Sequence, residues 1–135
     1  MKYLLDTNTC IRLINGRSPA LRARFYKTPA ADIAVCSIVK AELFSGSARS
    51  QTPALSRAKQ ELFLKPFPSL PFDDNVLSSY SQLRADLENR GMPIGPLDTL
   101  IAAIAVANQL ILVTHNTREF SRVQGLALED WELPE

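Results

Sequence analysis

Three carboxylates are spaced along the chain, each beside apolar residues: Asp6, Glu42 and Asp98. Carboxylates that are brought together repel one another, and a shared cation removes that repulsion. Their hard oxygen ligands suit Mg²⁺ or Mn²⁺. Such an ion bridges phosphate oxygens and orients a water molecule for in-line displacement. These residue types therefore indicate metal-dependent phosphodiester hydrolysis.

Asp6 directly follows Tyr3-Leu4-Leu5, a short apolar run that predicts a buried strand. In open parallel α/β sheets, ligands bind beyond the carboxyl ends of the strands. Aspartate is also a preferred N-cap for a following helix, and Thr7 or Asn8 could fill that position as well. The sequence leaves a functional and a capping role equally open for Asp6.

Glu42 belongs to a helix predicted from Ser37 to about Phe44. With Ile38 placed at zero on a helical wheel, Glu42 lies at about 40° and Leu43 at about 140°. The carboxylate therefore lies within the apolar face, where an unpaired charge is costly. A buried salt bridge is an alternative, but the position favours a ligand role.

The acids and amides nearer the carboxyl end have good structural explanations when they are taken singly. Asp98 precedes an apolar helix predicted over residues 99–108 and could be its N-cap. Asn116 is an ordinary turn or cap residue, and Glu119 could be a first-turn acid of a short helix. Only their joint spacing with Asp6 and Glu42 suggests a shared site.

Strands and helices alternate along the sequence. Buried strands are predicted at 3–5, 33–36 and 110–113, with short strands near 70 and 126–128. This alternation predicts one domain over residues 1–135, with an α/β fold of three layers (α/β/α) around a mostly parallel sheet of about five strands. The segment 98–109 is apolar almost all round, which indicates a buried helix.

Two of the predicted helices carry details that a structure can test. Ser45-Gly46 is expected to stop the helix that begins at Ser37. Thr52-Pro53 is expected to open another helix, with Leu55, Ala58 and Leu62 on its buried face.

The charges are unevenly distributed. Residues 7–60 carry nine Lys/Arg and two acids, whereas residues 61–135 carry five Lys/Arg and eleven acids. The basic half could form a face that meets phosphates. An ordinary solvated surface explains the same counts equally well.

Cys10 and Cys36 lie in apolar surroundings and are expected to be reduced core residues of a cytoplasmic protein. The longest apolar run, residues 100–107, is too short to cross a membrane. We therefore expect a soluble chain.

Several other chemistries are excluded. His115 is the single histidine, which excludes a two-histidine ribonuclease mechanism and a His/Cys zinc site. The chain has no phosphate-binding P-loop and no nucleophile elbow. An aspartyl phosphatase would need a second acid where Asn8 stands. By itself, His115 is more typical of a strand end than of a base.

Four motifs in order carry a resemblance to a known family: Leu4-Leu5-Asp6-Thr7-Asn8, Glu42-Leu43 with Gly46 beyond, Ile94-Gly95-Pro96-Leu97-Asp98, and Thr114-His115-Asn116-Thr117-Arg118-Glu119-Phe120. The chain resembles the PIN-domain ribonucleases, and most of all the VapC toxins of bacterial toxin–antitoxin pairs. The resemblance extends from Tyr3 to the Glu129-Asp130-Trp131 segment.

The resemblance implies an endoribonuclease that cleaves RNA, for example tRNA, with Mg²⁺ or Mn²⁺. Asp6 and Asp98 would hold the metal, and Glu42 would bind it directly or through water. Thr7 and Thr114 would support the acids by hydrogen bonds.

Many PIN domains place a fourth acid where this sequence has Asn116. The resemblance therefore leaves Glu119 as an outer, water-mediated contributor, or else a site of three acids.

The resemblance also implies a cognate VapB-type antitoxin and a homodimer. The antitoxin could cover the basic helices of residues 8–27 or insert an arginine among the acids. The competing interpretation is a non-catalytic RNA-binding or interaction module with the same fold.

Overall fold

Five short strands, all parallel, form the centre of the structure. The computed structural model describes residues 1–134. The strands are β1 (Tyr3–Leu5), β2 (Ile33–Cys36), β3 (Ser69–Leu70), β4 (Ile111–Val113) and β5 (Leu128–Glu129). Their order across the sheet is β3-β2-β1-β4-β5. The predicted five-strand sheet is confirmed, and every pairing in it is parallel.

Helices connect the strands. Within the described chain they are α1 (Thr7–Ile14), α2 (Pro19–Lys27), α3 (Ser37–Ala48), α4 (Pro53–Leu64), α5 (Leu77–Asn89), α6 (Pro96–Ala107) and α7 (Thr117–Phe120). Single 3-10 turns at Ala30–Asp32 and Asp74–Val76 precede β2 and α5. Alternating strands and helices are the pattern of an α/β fold.

The central strands are apolar on both faces because helices cover both faces of a parallel sheet. Every residue of β1 and β2 is buried. Tyr3 is paired in register with Ile33 of β2 and with Ile111 of β4. The first strand of the chain is therefore the middle strand of the sheet.

The order of the strands explains the three layers. The chain steps from β1 to β2 to β3 in one direction, and then returns across the sheet to β4 and β5. Right-handed crossovers in opposite directions place their helices on opposite faces of a sheet. The direction changes between β1 and β4, so a crevice opens at the carboxyl ends of these two strands.

Helix α6 is the buried helix that the sequence predicts: Thr99 and residues 101–105 are all buried. Its start differs from the prediction. The helix begins at Pro96, with Gly95 as N-cap, because proline suits the first position of a helix. Asp98 is consequently a first-turn residue, and the interpretation of Asp98 as the N-cap is wrong.

Two helix details also differ from the sequence predictions. Helix α3 continues through Gly46 to Ala48. A glycine inside a helix costs only about 1 kcal/mol, which packing of α3 against α4 can offset. In α4, Leu55 and Leu62 are 57% and 75% exposed, whereas Phe63 stacks on Phe25 of α2. The buried face of α4 was therefore misassigned.

The two cysteines are free thiols and are fully buried, as predicted. In residues 1–134, no helix is both long enough and apolar enough to cross a membrane.

Candidate active site

Asp6 lies where β1 ends, at the crevice between β1 and β4. Its backbone N–H donates to the Val113 carbonyl at 3.1 Å, and its side chain is the N-cap of α1, with Oδ1 accepting from the Thr9 N–H at 2.8 Å. Only 5% of the residue is exposed. The structure therefore gives Asp6 the capping role, and the same geometry fixes the carboxylate at the strand end.

The pKa of Asp6 is raised, first by burial and also by the charge of Glu132. Hydrogen bonds from Thr114 and Thr9 act in the opposite direction because they stabilise the ionised form. Thr114 is fully buried after β4, and its hydroxyl also accepts from the Asn116 N–H at 3.0 Å. Thr114 thus connects Asp6 to the loop that carries Asn116.

Glu42 extends from α3 toward the start of α1 and is half-buried. Its Oε1 accepts a 2.6 Å hydrogen bond from the Thr7 hydroxyl. No ion pair in residues 1–134 includes Glu42, so the structure does not support the salt-bridge alternative. A carboxylate oriented by a single hydroxyl keeps lone pairs available for another ligand.

Asp98 is half-buried in the first turn of α6. Its pKa is raised to about 6 by burial, and then by the negative charges of Glu119, Glu42 and Asp6 in that order. No residue among the described 1–134 donates a hydrogen bond to its carboxylate. The negative charges of the other three acids therefore all act on Asp98.

Glu119, on α7, is held by two donors. Its Oε1 accepts from the Gly95 N–H at 2.7 Å, and its Oε2 accepts from Nδ2 of Asn116 at 2.9 Å. These hydrogen bonds, that of Gly95 above all, lower the pKa of Glu119 and keep it ionised. Asn116 therefore orients Glu119 in this structure.

Gly95, at the amino end of α6, lies close to the carboxylates of both Asp98 and Glu119. A Cβ atom at this position would lie 3.4 Å from Oδ2 of Asp98 and 3.7 Å from Oε1 of Glu119. The Gly95 N–H donor was not predicted from the sequence. The Gly95-Pro96 pair was the available indication, since it places an unbonded N–H just before a helix.

The donor set fits a hard divalent cation. The four acids offer only carboxylate oxygens, and Asp98 has no competing donor among the described residues. No three of these four acids have ligand atoms that all lie within 4.8 Å of one another. Within residues 1–134 the one group that meets this distance is His115, Asp130 and Glu132. An oxygen-only donor set is typical of Mg²⁺ or Mn²⁺.

A parallel α/β sheet with acids around its switch point defines the class to which this chain belongs. The chain matches the PIN domain family over residues 3–126, and it is a PIN domain. Within that class it belongs to the VapC family, as the sequence resemblance implied. It is 39% identical to a tRNA(fMet)-specific endonuclease VapC of Shigella flexneri, over 97% of this chain and 98% of that protein.

Other relatives agree over the full length. Ribonuclease VapC2 of Rickettsia felis is 36% identical, with 98% of this chain and 99% of that protein covered. Among solved structures, DNA-bound VapBC from Salmonella typhimurium superposes with a TM-score of 0.91 at 37% identity, covering 97% of this chain and 98% of that chain. VapBC2 from Rickettsia felis, bound to a promoter DNA fragment, gives a TM-score of 0.89 at 36% identity, covering 97% of this chain and 99% of that chain.

Proposed function

We propose that this protein is a metal-dependent endoribonuclease that acts as the toxin of a toxin–antitoxin pair. The observation that carries the proposal is the environment of Asp98. This carboxylate is half-buried, has no hydrogen-bond donor within the described chain, and has a pKa raised to about 6 by burial and by three neighbouring acids. Such an environment favours a bound cation, and family membership supports the same chemistry.

Asp6, Asp98 and Glu42 would hold Mg²⁺ or Mn²⁺, and Glu119 would contribute through water. When bound, the ion neutralises charge on the scissile phosphate and lowers the pKa of a bound water molecule. The remaining contributions come from the chain itself. Asp6 is fixed in direction by Thr9 and Thr114.

The other two acids are oriented from different elements. Thr7 orients Glu42, whereas Gly95 and Asn116 orient Glu119. Fixing the orientation of these carboxylates matters for catalysis, because a displacement of about 1 Å can reduce the rate by about two orders of magnitude.

The substrate is RNA, and transfer RNA is its expected class because VapC of Shigella flexneri is tRNA(fMet)-specific. The basic half of the sequence supports phosphate contacts. Some of its cations are already in ion pairs, since Arg12 pairs with Glu132 and Arg24 pairs with Glu129. Arg17, exposed beyond the end of α1, forms no ion pair within residues 1–134 and is available to contact an RNA backbone.

The VapBC complexes of two relatives support a VapB-type antitoxin as the partner. An arginine inserted among the four acids would compete directly with the metal. We also propose a homodimer. The two free, buried cysteines are consistent with a reducing compartment such as the cytoplasm.

The decisive experiment measures RNA cleavage by the purified protein. We expect cleavage with Mg²⁺ or Mn²⁺ and none with EDTA. Asp98→Asn should abolish it while the circular dichroism spectrum is retained. Asp74→Asn is the matched control, because Asp74 is an exposed acid outside the cluster and should leave activity unchanged. Full activity in Asp98→Asn would overturn the assignment.

The non-catalytic alternative gives a different result. A binding module would retain RNA without cutting it at any Mn²⁺ concentration, and RNA binding would be insensitive to Asp98→Asn. Cleavage that depends on both Mn²⁺ and Asp98 excludes that interpretation.

A further inference from the structure

A second group of possible metal ligands lies outside the four acids. His115 follows β4, and Asp130 and Glu132 follow β5. Nδ1 of His115 lies 2.9 Å from Oδ2 of Asp130 and 3.9 Å from Oε2 of Glu132. In residues 1–134 this is the only group of three or more such side chains whose ligand atoms all lie within 4.8 Å of one another.

Glu132 provides a separate observation. Its side chain is only 8% exposed, and Oε1 forms an ion pair with Nε of Arg12 at 2.5 Å. The other oxygen, Oε2, is buried and has no hydrogen-bond partner, although it faces the ring of His115. A buried carboxylate oxygen without a donor is costly unless a ligand satisfies it.

The orientation of the Asp130 side chain is also fixed. Its side chain is 7% exposed, and its Oδ1 accepts from the backbone N–H of Glu132 at 2.9 Å, which leaves Oδ2 directed at His115. Both carboxylates are therefore fixed through one oxygen and present the other to the same imidazole nitrogen.

We infer that His115, Asp130 and Glu132 form a second metal site, selective for a zinc-type divalent ion over Mg²⁺. One imidazole nitrogen with two carboxylate oxygens is a donor set that Zn²⁺ accepts, and Mg²⁺ prefers oxygen alone. Neighbouring ligands around a tetrahedral Zn²⁺ lie about 3.3 Å apart when each bond is about 2.0–2.1 Å long. The observed separations of 2.9 and 3.9 Å lie on either side of that value.

The charges and protons balance without another reactant. Zn²⁺ binds the lone pair of Nδ1 in the neutral tautomer of His115 that carries its single proton on Nε2; a proton that starts on Nδ1 reaches Nε2 by exchange with water. Oδ2 of Asp130 then binds the ion in place of the Nδ1 proton. Arg12 offsets one negative charge while it leaves Oε2 of Glu132 free. Three protein ligands leave the fourth position for water.

The test uses His115 as a spectroscopic reporter, since it is the single histidine in the sequence. Untagged protein is titrated with Zn²⁺, and separately with Mg²⁺, while the ¹⁵N resonances of the imidazole are recorded. We expect one equivalent of Zn²⁺ to shift Nδ1 into the metal-bound range, and Mg²⁺ to leave it unchanged. The inference would be overturned if the Nδ1 chemical shift does not change with Zn²⁺, or if it changes equally with Mg²⁺.

Variants separate a built site from a histidine that binds zinc alone. Asp130→Asn and Glu132→Gln should each weaken Zn²⁺ binding by about tenfold or more in calorimetry, with the backbone amide spectrum showing that the fold is retained. His115→Gln changes an exposed side chain and should remove one bound Zn²⁺. Unchanged zinc stoichiometry in folded His115→Gln would contradict the site.

The inference stands apart from the nuclease assignment. Asp98→Asn should abolish Mg²⁺-dependent cleavage and leave the zinc shift of His115 intact. Loss of that shift in Asp98→Asn would show that zinc binds among the four acids, and would overturn the second site.

Discussion

At the scale of single residues, neighbouring carboxylates of the cluster have opposite environments. Glu119 accepts two hydrogen bonds, and its pKa is lowered. Asp98 has no such donor within the described chain, and its pKa is raised to about 6. Acids whose pKa values are separated in this way take different roles at one site. Asp98 is the acid that gains most from a cation, and Glu119 is the acid that is already satisfied.

The raised pKa of Asp98 predicts a dependence of stability on pH. A carboxyl group with a raised pKa binds its proton more strongly in the folded state, so stability falls as pH rises from the unfolded value near 4 through the folded value of about 6. After allowance for solvent screening, the loss should be about 1 kcal/mol. Urea unfolding in EDTA measures it.

Asp98→Asn is the control for this dependence. Burial also raises the pKa of Asp6, with the same sign, so some slope should remain in the variant. An identical slope in Asp98→Asn and wild type would show that Asp98 does not cause the effect. Mg²⁺ should restore stability above pH 6 in wild type alone.

Thr7 provides a second prediction, through its 2.6 Å hydrogen bond to Glu42. Thr7→Val removes the hydroxyl and keeps the shape of the side chain. We expect cleavage to fall by about tenfold, because an oriented carboxylate becomes free to rotate. Cleavage rates across a Mn²⁺ titration measure the effect. Thr7→Ser restores the hydroxyl and should restore most of the activity; equal loss in both variants would contradict a role for the hydrogen bond.

The sequence predicted that Glu42 is shielded from solvent, because helical periodicity alone places it in an apolar face, and the residue is half-buried. It could not indicate the contact between Glu119 and the Gly95 N–H, since that contact joins residues 24 positions apart through loop geometry. The group around His115 was missed for the same reason: Asp130 and Glu132 become its neighbours only when β5 pairs with β4.

At the scale of elements, Asp6 combines a helix cap with a candidate metal ligand, and two substitutions separate these roles. Asp6→Asn keeps an oxygen that can accept from the Thr9 N–H. It should therefore abolish cleavage with little loss of stability. Asp6→Ala should abolish cleavage and also cost about 1 kcal/mol, the usual contribution of an N-cap. Thermal unfolding and cleavage are measured together. Full activity in Asp6→Asn would contradict the ligand role.

Element boundaries were less predictable than element types. Residues 33–36 were predicted correctly as a strand because a continuous apolar run marks a strand buried on both faces. The start of α6 was placed three residues late, since apolar periodicity begins at Thr99 whereas Pro96 and the Gly95 cap set the true first turn. The buried face of α4 depends on its packing against α2 and α3, which local sequence does not specify.

At the scale of the whole molecule, Trp131 packs the segment after β5 against Tyr3 of β1. It is 3% exposed, meets the ring of Tyr3 edge-on at 5.0 Å, and has the guanidinium of Arg24 over its own ring at 5.1 Å. Its Nε1–H donates to Glu129. Trp131→Ala should lower the free energy of unfolding by about 3 kcal/mol.

Denaturant unfolding measures the loss in Trp131→Ala. Trp131→Phe should be milder, because it keeps an aromatic ring against Tyr3 and loses only the donor to Glu129. Equal destabilisation by the two substitutions would show that the hydrogen bond, and not the ring packing, holds the segment.

The central position of β1 has a consequence for the timing of synthesis. Tyr3 and one of its two partners, Ile111, are more than a hundred residues apart, so Ile111 is made long after Tyr3. The crevice beside Asp6 cannot close until β4 has left the ribosome, because pairing so distant in sequence is a late event in folding. The candidate site beside Asp6 is therefore completed only after β4 has been made and has paired with β1.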